Sequence, residues 1–173
     1  EELEDTFYLS LRIAAEKKIE REGFQKIQIG REICPEDAAK IDGIICLGTF
    51  SESTVQKIRD LDRPAVFIDA KGDQELFDSV VVNLTHSVKK VLDYLVEEGH
   101  ERIAFIGGSD IDSDGKELED ARMPIYCSYM EKKGFLHEDY IRIGGFTPKY
   151  GYQLGKELLA LKAELDAKYR EAQ

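Results

Sequence analysis

The sequence contains no tryptophan, three cysteines and three histidines, and these absences exclude several classes of protein. The cysteines, at positions 34, 46 and 127, have no CxxC spacing and no metal-ligand spacing with the histidines, which argues against a zinc site or a disulfide framework. Cys46 lies within an apolar run, so we expect a buried free thiol and a reducing, cytoplasmic environment. No apolar run reaches the roughly 20 residues of a membrane span, and the first residues do not resemble a signal peptide.

Positive charge is also scarce, since 24 basic residues face 35 acidic ones and the net charge is −11. Wrapping the phosphate backbone of nucleic acid requires clusters of Lys and Arg, so this stretch is not expected to do so. If the protein binds DNA, another segment must bind it. The length of 173 residues and the 42% hydrophobic content suit one good core or two small lobes.

The motifs of common enzyme classes are missing as well. The Gly107-Gly108 pair is not part of a GxGxxG phrase, and neither a P-loop nor a GxSxG nucleophile elbow occurs. Asp110, Asp112 and Asp114 alternate as in the start of a calcium loop, but Ala121 stands where the loop's final Glu is expected. The sequence therefore predicts no enzyme, no cofactor and no metal site.

What is present is an alternation of strand and helix patterns. The stretch Ser79 to Gly108 reads as strand, helix and strand, with Val88, Val91, Leu92 and Leu95 on one apolar helix face. We expect Thr85 to cap this helix and Gly99 to end it in the left-handed conformation. A crossover helix between two buried strands predicts a βαβ unit with parallel strands.

The same patterns extend along the chain and predict an α/β fold with parallel sheets. Ser51 or Ser53 can cap the second long helix. Pro124 would cost about 3 kcal/mol within a helix, so the regular part of the helix predicted at 117–133 is expected to begin near Ala121. Helices are predicted over residues 6–22, 52–61, 117–133 and 150–165, with a short turn of helix at 35–37, and strands over 27–29, 42–48, 65–69, 79–82, 103–106 and 141–144.

Several phrases resemble the LacI/GalR family of bacterial transcription regulators. They are LVEEGHERIAFIGG at residues 95–108, DGII at 42–45 and the P-x-V-x-x-D phrase at 64–69. The phrases EDTFYLS near the start and IGGFT followed by GYQL most resemble galactose-operon repressors of low-GC Gram-positive bacteria.

This resemblance implies two Rossmann-like lobes of the periplasmic-binding-protein-like type I fold, with the second lobe incomplete. It places the first lobe, without its first strand, at residues 1–101 and a partial second lobe at 102–173. The family's helix-turn-helix domain is not present in this chain. Three alternatives stay open: the chain is a fragment of a longer protein, residues are absent from the recorded sequence, or the protein is a pared-down variant of the family.

The function implied by the resemblance is that of a sugar-responsive transcriptional regulator, a repressor of a carbohydrate-utilisation operon. A small carbohydrate effector would bind between the lobes, and a shift of the lobes would change the binding of operator DNA by a homodimer. Two alternatives stay open: a sugar-binding component of a transporter, and a flavodoxin-like enzyme or module.

Ligands of open parallel sheets bind beyond the carboxyl ends of the strands, and polar or aromatic residues follow several predicted strands here. Asp69 can accept hydrogen bonds from sugar hydroxyls, or it can simply form a turn. The resemblance assigns effector contacts to Arg122, with its planar fork of donors, and to Phe146, which can cover a sugar face. Their structural alternatives are a solvated helix arginine and a packing aromatic. The full set of predicted effector-binding residues is Arg122, Asp69, Phe146, Tyr8, Phe50, Leu118 and Ile68.

Overall fold

The computed structural model describes residues 6–29, 35–70, 72–112 and 114–171. These residues form two units. The first contains the chain up to Val82 together with Ile111–Lys116, and the second contains Asn83–Asp110 and the chain from Glu117 onwards. No helix among the described residues is long and apolar enough to cross a membrane.

The first unit is built on a parallel sheet whose described strands are β1 (Ile44–Leu47), β2 (Ala65–Ile68) and β3 (Asp78–Val80), in that order. Its helices are α1 (Thr6–Arg21), α2 (Pro35–Ala38) and α3 (Glu52–Asp60). The apolar sequences of β1 and β2 and the inner face of α3 meet in a core of Cys46, Ile58 and Phe67. The predicted turn of helix at 35–37 is confirmed by α2.

The side chain of Ser51 caps α3, as predicted. Its Oγ accepts a hydrogen bond from the Thr54 backbone N–H at 3.3 Å, which satisfies one of the free donors of the first turn. Burial of Cys46 is also confirmed, and burial raises the pKa of its thiol to about 12. The third cysteine of the prediction, Cys34, lies outside the described residues.

The second unit has a sheet in which β4 (Phe105–Ile111) lies between β5 (Glu117–Leu118) and β6 (Ile141–Gly145), with β4 and β6 parallel. Its helices are α4 (Leu84–Glu97), α5 (Arg122–Lys133) and α6 (Pro148–Glu171), and a 3-10 turn spans Glu138–Tyr140. Leu92, Ile103, Tyr126 and Met130 form the core. The Tyr126 hydroxyl donates to the Ile103 carbonyl oxygen at 2.7 Å and so satisfies both groups within it.

Helix α5 ends where the sequence predicts, and its start at Arg122 agrees with the regular helix expected from about Ala121. Pro124 is its third residue, in the first turn, where a backbone N–H has no partner within the helix. Gly134 ends the helix with φ +74°, a conformation that glycine adopts without a Cβ penalty. The α/β class with parallel sheets is likewise confirmed.

The predicted βαβ unit is wrong. Strand β3 belongs to the first sheet and β4 to the second, so helix α4 connects two sheets rather than two strands of one. Val80 and Val82 are 62% and 58% exposed, so this strand is not the buried one that was predicted. The physical reason is that Leu92 of α4 packs against the core of α5 in the second unit, and β4 pairs with β6.

Other local predictions need correction. The side chain of Asn83, not Thr85, caps α4, and Val91 of its predicted inner face is 57% exposed. Residues 27–29 form no strand, since no described strand pairs with them. Glu117–Leu118 is a strand rather than the start of a helix, because β4 is long enough to pair with it.

Helix α4 falls in the second unit, whereas the predicted boundary after residue 101 placed it in the first lobe. The apolar face of α4 packs on α5, and these contacts place α4 in the second unit although its sequence position suggested the first lobe. The predicted boundary between the two lobes of the family's core, after residue 101, stays a prediction.

Candidate functional site

In the first unit, Asp69 directly follows β2 at the carboxyl end of the sheet. Its backbone is in the left-handed region, with φ +60°, which is uncommon for a residue other than glycine. The Asp69 N–H donates to the Val80 carbonyl at 2.9 Å, and its carboxylate Oδ2 accepts from the Tyr8 hydroxyl at 3.0 Å. Backbone and side chain are thus both held, which orients the carboxylate.

Tyr8 lies near the start of α1 and its ring faces the turn after β1. A Cβ built on Gly48 would lie 3.7 Å from the Tyr8 ring, an ordinary contact. Glycine is required at this turn by its φ of +95°, not by lack of space. The structure therefore brings Tyr8 and Asp69, two predicted effector contacts, into direct contact with each other.

Phe50 and Ile68 are the other predicted residues of this unit. Phe50 meets the fully buried Phe67 edge to face, with ring centroids 5.6 Å apart and planes at 88°. Such pairs stabilise by about 0.5–1.5 kcal/mol beyond burial, so Phe50 has a packing role here. Ile68 is the last residue of β2 and is half-buried. For both, contact with an effector stays a prediction.

In the second unit, the Arg122 guanidinium is bound side-on by Asp120. Nε donates to Oδ1 and Nη2 donates to Oδ2, each at 2.7 Å, which is the bidentate geometry that an arginine fork favours. The backbone N–H of Arg122 also donates to Oδ1 at 3.0 Å. The Asp120 side chain is only 3% exposed, whereas that of Arg122 is 42% exposed. A buried carboxylate therefore fixes an arginine that reaches the surface.

The same arginine lies over the ring of Phe146, the residue that follows β6. The guanidinium carbon is 5.4 Å from the ring centroid, a cation–π arrangement. The ring packs so closely on Gly108 of β4 that a Cβ there would lie 2.8 Å from three ring atoms. Arg122 and Phe146, predicted separately from the sequence, thus form one contact with Gly108 beneath it.

A cavity of about 380 Å³ adjoins this group. This volume is at the lower end for ligand-binding pockets. Leu118, the remaining predicted residue, is part of the wall, as is Asp120. The cavity is lined by Gly108, Ser109, Glu117, Leu118, Glu119, Asp120, Met123 and Ile143.

The ionisation of Asp120 follows from its partners. Burial alone would raise the pKa of this carboxyl, but the hydrogen bonds from Arg122 and the Gly108 N–H outweigh burial and lower the pKa. Asp120 is therefore a carboxylate at neutral pH. Together the carboxylate, the guanidinium and the ring provide fixed hydrogen-bonding groups beside an apolar face, a combination suited to a polyhydroxylated ring.

Sequence reasoning missed Asp120 and the role of Gly108. The Asp-x-Arg spacing at 120–122 was a usable signal, because an acid just before a helix can accept from the free N–H groups of the first turn. The part played by Gly108 had no such signal, since it depends on Phe146 arriving from a separate strand.

The aspartates considered for calcium are engaged in a turn. The Asp112 carboxylate accepts from the backbone N–H groups of Asp114 and Lys116, both at 2.9 Å, and the Asp114 carboxylate accepts from the Ser53 hydroxyl. The side chain of Asp110 lies outside the described part of the chain. Across the described residues, no group of three or more His, Cys, Asp or Glu side chains is arranged to hold a metal ion.

Comparison with known proteins shows similarity to transcription regulators along most of the chain. The HTH-type transcriptional regulator GanR of Bacillus subtilis (strain 168) is 36% identical over 160 residues, covering 89% of this chain and 48% of GanR. The HTH-type transcriptional regulator GalR of Streptococcus thermophilus is 28% identical over 154 residues, covering 88% of this chain and 46% of GalR. The chain thus spans about half the length of the curated relatives it matches. No family model matches it.

Among solved structures, a LacI family transcriptional regulator from Lactobacillus casei with bound sucrose superposes with a TM-score of 0.66 at 23% identity. The match covers 89% of this chain and 59% of that one, and it shows the fold. The periplasmic-binding-protein-like fold expected from the sequence is thereby confirmed. With the sequence similarity to GanR and GalR, these findings establish that the chain belongs to the LacI/GalR family of transcriptional regulators.

Proposed function

We propose that this chain is the effector-sensing and dimerisation core of a sugar-responsive transcriptional regulator, a repressor of a carbohydrate-utilisation operon. The observation that carries the proposal is the 36% identity to GanR over 89% of the chain. The group of Arg122, Asp120 and Phe146 beside a cavity supports it chemically. Sugars are recognised by planar hydrogen-bonding side chains together with an aromatic face, and this group provides both.

The partners follow from the same proposal. The effector is a small carbohydrate, and operator DNA is bound through a helix-turn-helix domain outside this chain. A net charge of −11 supports this division, since the chain itself is poorly suited to a phosphate backbone. The working form is a homodimer in the cytoplasm, acting as a regulator and not as an enzyme.

Within the second unit we assign the effector contacts to Arg122, Phe146 and Leu118. Arg122 is exposed enough to donate to a sugar, Phe146 offers a 44% exposed ring, and Leu118 lines the cavity. Within the first unit we assign them to Asp69, Tyr8, Phe50 and Ile68. The hydrogen bond from Tyr8 to Asp69 orients the carboxylate towards accepting further hydroxyl donors.

The test uses the natural gene product that contains this chain. Fluorescence anisotropy would measure its binding to DNA from the region upstream of its own operon, with and without galactose or sucrose. Calorimetry would measure sugar binding. We expect specific DNA binding that a sugar weakens, and Arg122→Met should weaken sugar binding by roughly 10-fold or more through the loss of charged hydrogen bonds.

The matched control is Arg102→Met, which removes another partly exposed arginine of the same unit that is paired with an aspartate, Asp166. It should bind sugar like the wild type. Sugar binding without DNA binding would favour the transporter component instead, and binding of neither would favour the flavodoxin-like module.

A further inference from the structure

Because Asp120 binds Arg122, this site differs from one in which the arginine has no carboxylate partner in the protein. A free guanidinium binds carboxylates and phosphates side-on through Nε and one terminal nitrogen. Here that edge is already bound by a carboxylate of the protein itself, at 2.7 Å for both bonds. To bind at this edge an anionic ligand would have to displace Asp120, whose side chain is 3% exposed and therefore cannot move into water without rearrangement.

The carboxylate is built into the strand as well as into the helix start. Oδ2 accepts from the Gly108 N–H at 3.4 Å, and a Cβ on the neighbouring Gly107 would lie 2.9 Å from the same oxygen. Gly107 thus leaves room for the carboxyl group, and Gly108 donates its backbone N–H to it. Asp120 is fixed by the sheet, and Arg122 is fixed by Asp120.

The charge of the cavity points in the same direction. Its described lining includes the acidic residues Glu117, Glu119 and Asp120 but no lysine or arginine. With Arg122 beside it, the cavity has three acidic residues for one basic residue, so its surroundings carry a net negative charge. A phosphate or sugar acid in this cavity would be repelled, whereas neutral hydroxyl groups can donate to the carboxylates.

We propose that Asp120 is a positioning and specificity-determining residue, which fixes Arg122 and balances its charge so that this site accepts uncharged sugars and rejects sugar phosphates and sugar acids. The inference rests on the proposed function, because it names the class of effector that the same residues would bind. It predicts that removing the negative charge of Asp120 changes the preference between uncharged sugars and sugar phosphates, and not only the affinity for one sugar.

The experiment compares galactose with galactose 6-phosphate, and sucrose with sucrose 6-phosphate, by calorimetry on the full-length protein. The measured quantity is the ratio of the two dissociation constants in each pair. We expect the wild type to bind the uncharged member at least about tenfold more tightly. In Asp120→Asn, which is isosteric but neutral, the ratio should shift by about tenfold or more towards the phosphate, as a charged hydrogen bond to Arg122 becomes available.

Asp112→Asn is the matched control, because Asp112 and Asp120 are both 8% exposed, but the hydrogen bonds that the Asp112 carboxylate accepts from described residues come from backbone N–H groups of its own turn. Its ratio should equal that of the wild type, which separates ligand class from the mere loss of a buried carboxylate. Asp120→Glu retains the charge and should retain the preference for uncharged sugars.

The outcomes distinguish this inference from the proposed function. A wild type that binds no sugar of either kind overturns both. A wild type that binds uncharged sugars, with an unchanged ratio in Asp120→Asn, overturns the inference and leaves the proposed function standing. A wild type that prefers the phosphates overturns the inference directly, whether or not the variants fold.

Discussion

Replacing Gly108 with alanine tests the contact that links β4 to the aromatic ring of the site. The new Cβ would lie 2.8 Å from three ring atoms of Phe146, well inside the optimal separation of about 3.5–4.0 Å between carbon atoms. Either the strand or the ring must move. Gly108 lies in the central strand of its sheet, while Phe146 is 44% exposed, so we expect the ring to move outward.

The loss in the free energy of unfolding depends on whether the strand or the ring moves. Over-packing a well-ordered core costs about 1–3 kcal/mol, but a ring at the surface can yield more cheaply. Moving it away from Arg122 forfeits a cation–π interaction of about 0.5–1 kcal/mol. We therefore expect Gly108→Ala to lower the free energy of unfolding by about 1 kcal/mol, measured by urea denaturation followed by circular dichroism. Sugar affinity should fall as well, because the ring no longer lies where the sugar face would meet it.

Gly151→Ala is the matched control. Gly151 lies in α6, and a Cβ there would have no neighbour within 4 Å. Alanine in a helix is favoured over glycine by about 0.5–1 kcal/mol, so this variant should be more stable than the wild type. The same substitution thus has opposite signs at the two positions. A Gly108→Ala protein with wild-type stability and sugar affinity would refute the reasoning.

Three further predictions concern stability and pH. Tyr126→Phe leaves the Ile103 carbonyl without its hydroxyl donor, and urea denaturation should show a loss of about 1–3 kcal/mol. Burial raises the pKa of Cys46 to about 12, so the folded state holds its proton when the unfolded chain has lost it, and unfolding experiments should show stability falling as pH rises above about 9. The pKa of Asp120 is lowered, so its contribution is present above about pH 4 and lost as pH falls below that value.

Each of these has its own control. Tyr152→Phe, at a 72% exposed tyrosine, should leave stability unchanged. Iodoacetamide should label Cys46 at pH 8 only after denaturation, with peptide mass spectrometry distinguishing Cys46 from the partly exposed Cys127 and from Cys34. Rapid labelling of Cys46 in the native protein would contradict the argument. For Asp120, the variant Asp120→Asn should lose less stability between pH 5 and pH 3 than the wild type does. Equal losses would show that the Arg122 pair does not survive in solution.

Local signals predicted the elements that depend on neighbouring residues. The start of α5 follows from Pro124, its end from Gly134, and the start of α3 from Ser51, since each effect acts within one turn of helix. Strands β1 and β2 were predicted from short apolar runs, and their parallel order agrees with the alternation of strands and helices.

The wrong predictions concern elements whose structure depends on contacts with residues far along the chain. The stretch around β3 and α4 has the pattern of a βαβ unit, but Leu92 packs on α5 and β4 pairs with β6, and both partners lie beyond the segment. Glu117–Leu118 carries no strand pattern of its own and is a strand only because β4 extends alongside it. A two-residue strand cannot be predicted from alternation, which needs at least four residues.

In the predicted site, too, local signals identify the residues but not the contacts that they make with distant side chains. Residue type and resemblance selected Arg122 and Phe146, and the structure places them 5.4 Å apart. What residue type cannot state is the electrostatic character of that arginine, because a paired and an unpaired guanidinium are the same letter in the sequence. The pairing depends on Asp120 being buried against Gly108, a contact across twelve positions of the chain. Resemblance to a family therefore selects the arginine, whereas the class of ligand that we propose for it is argued from the carboxylate that holds it, which only the structure shows.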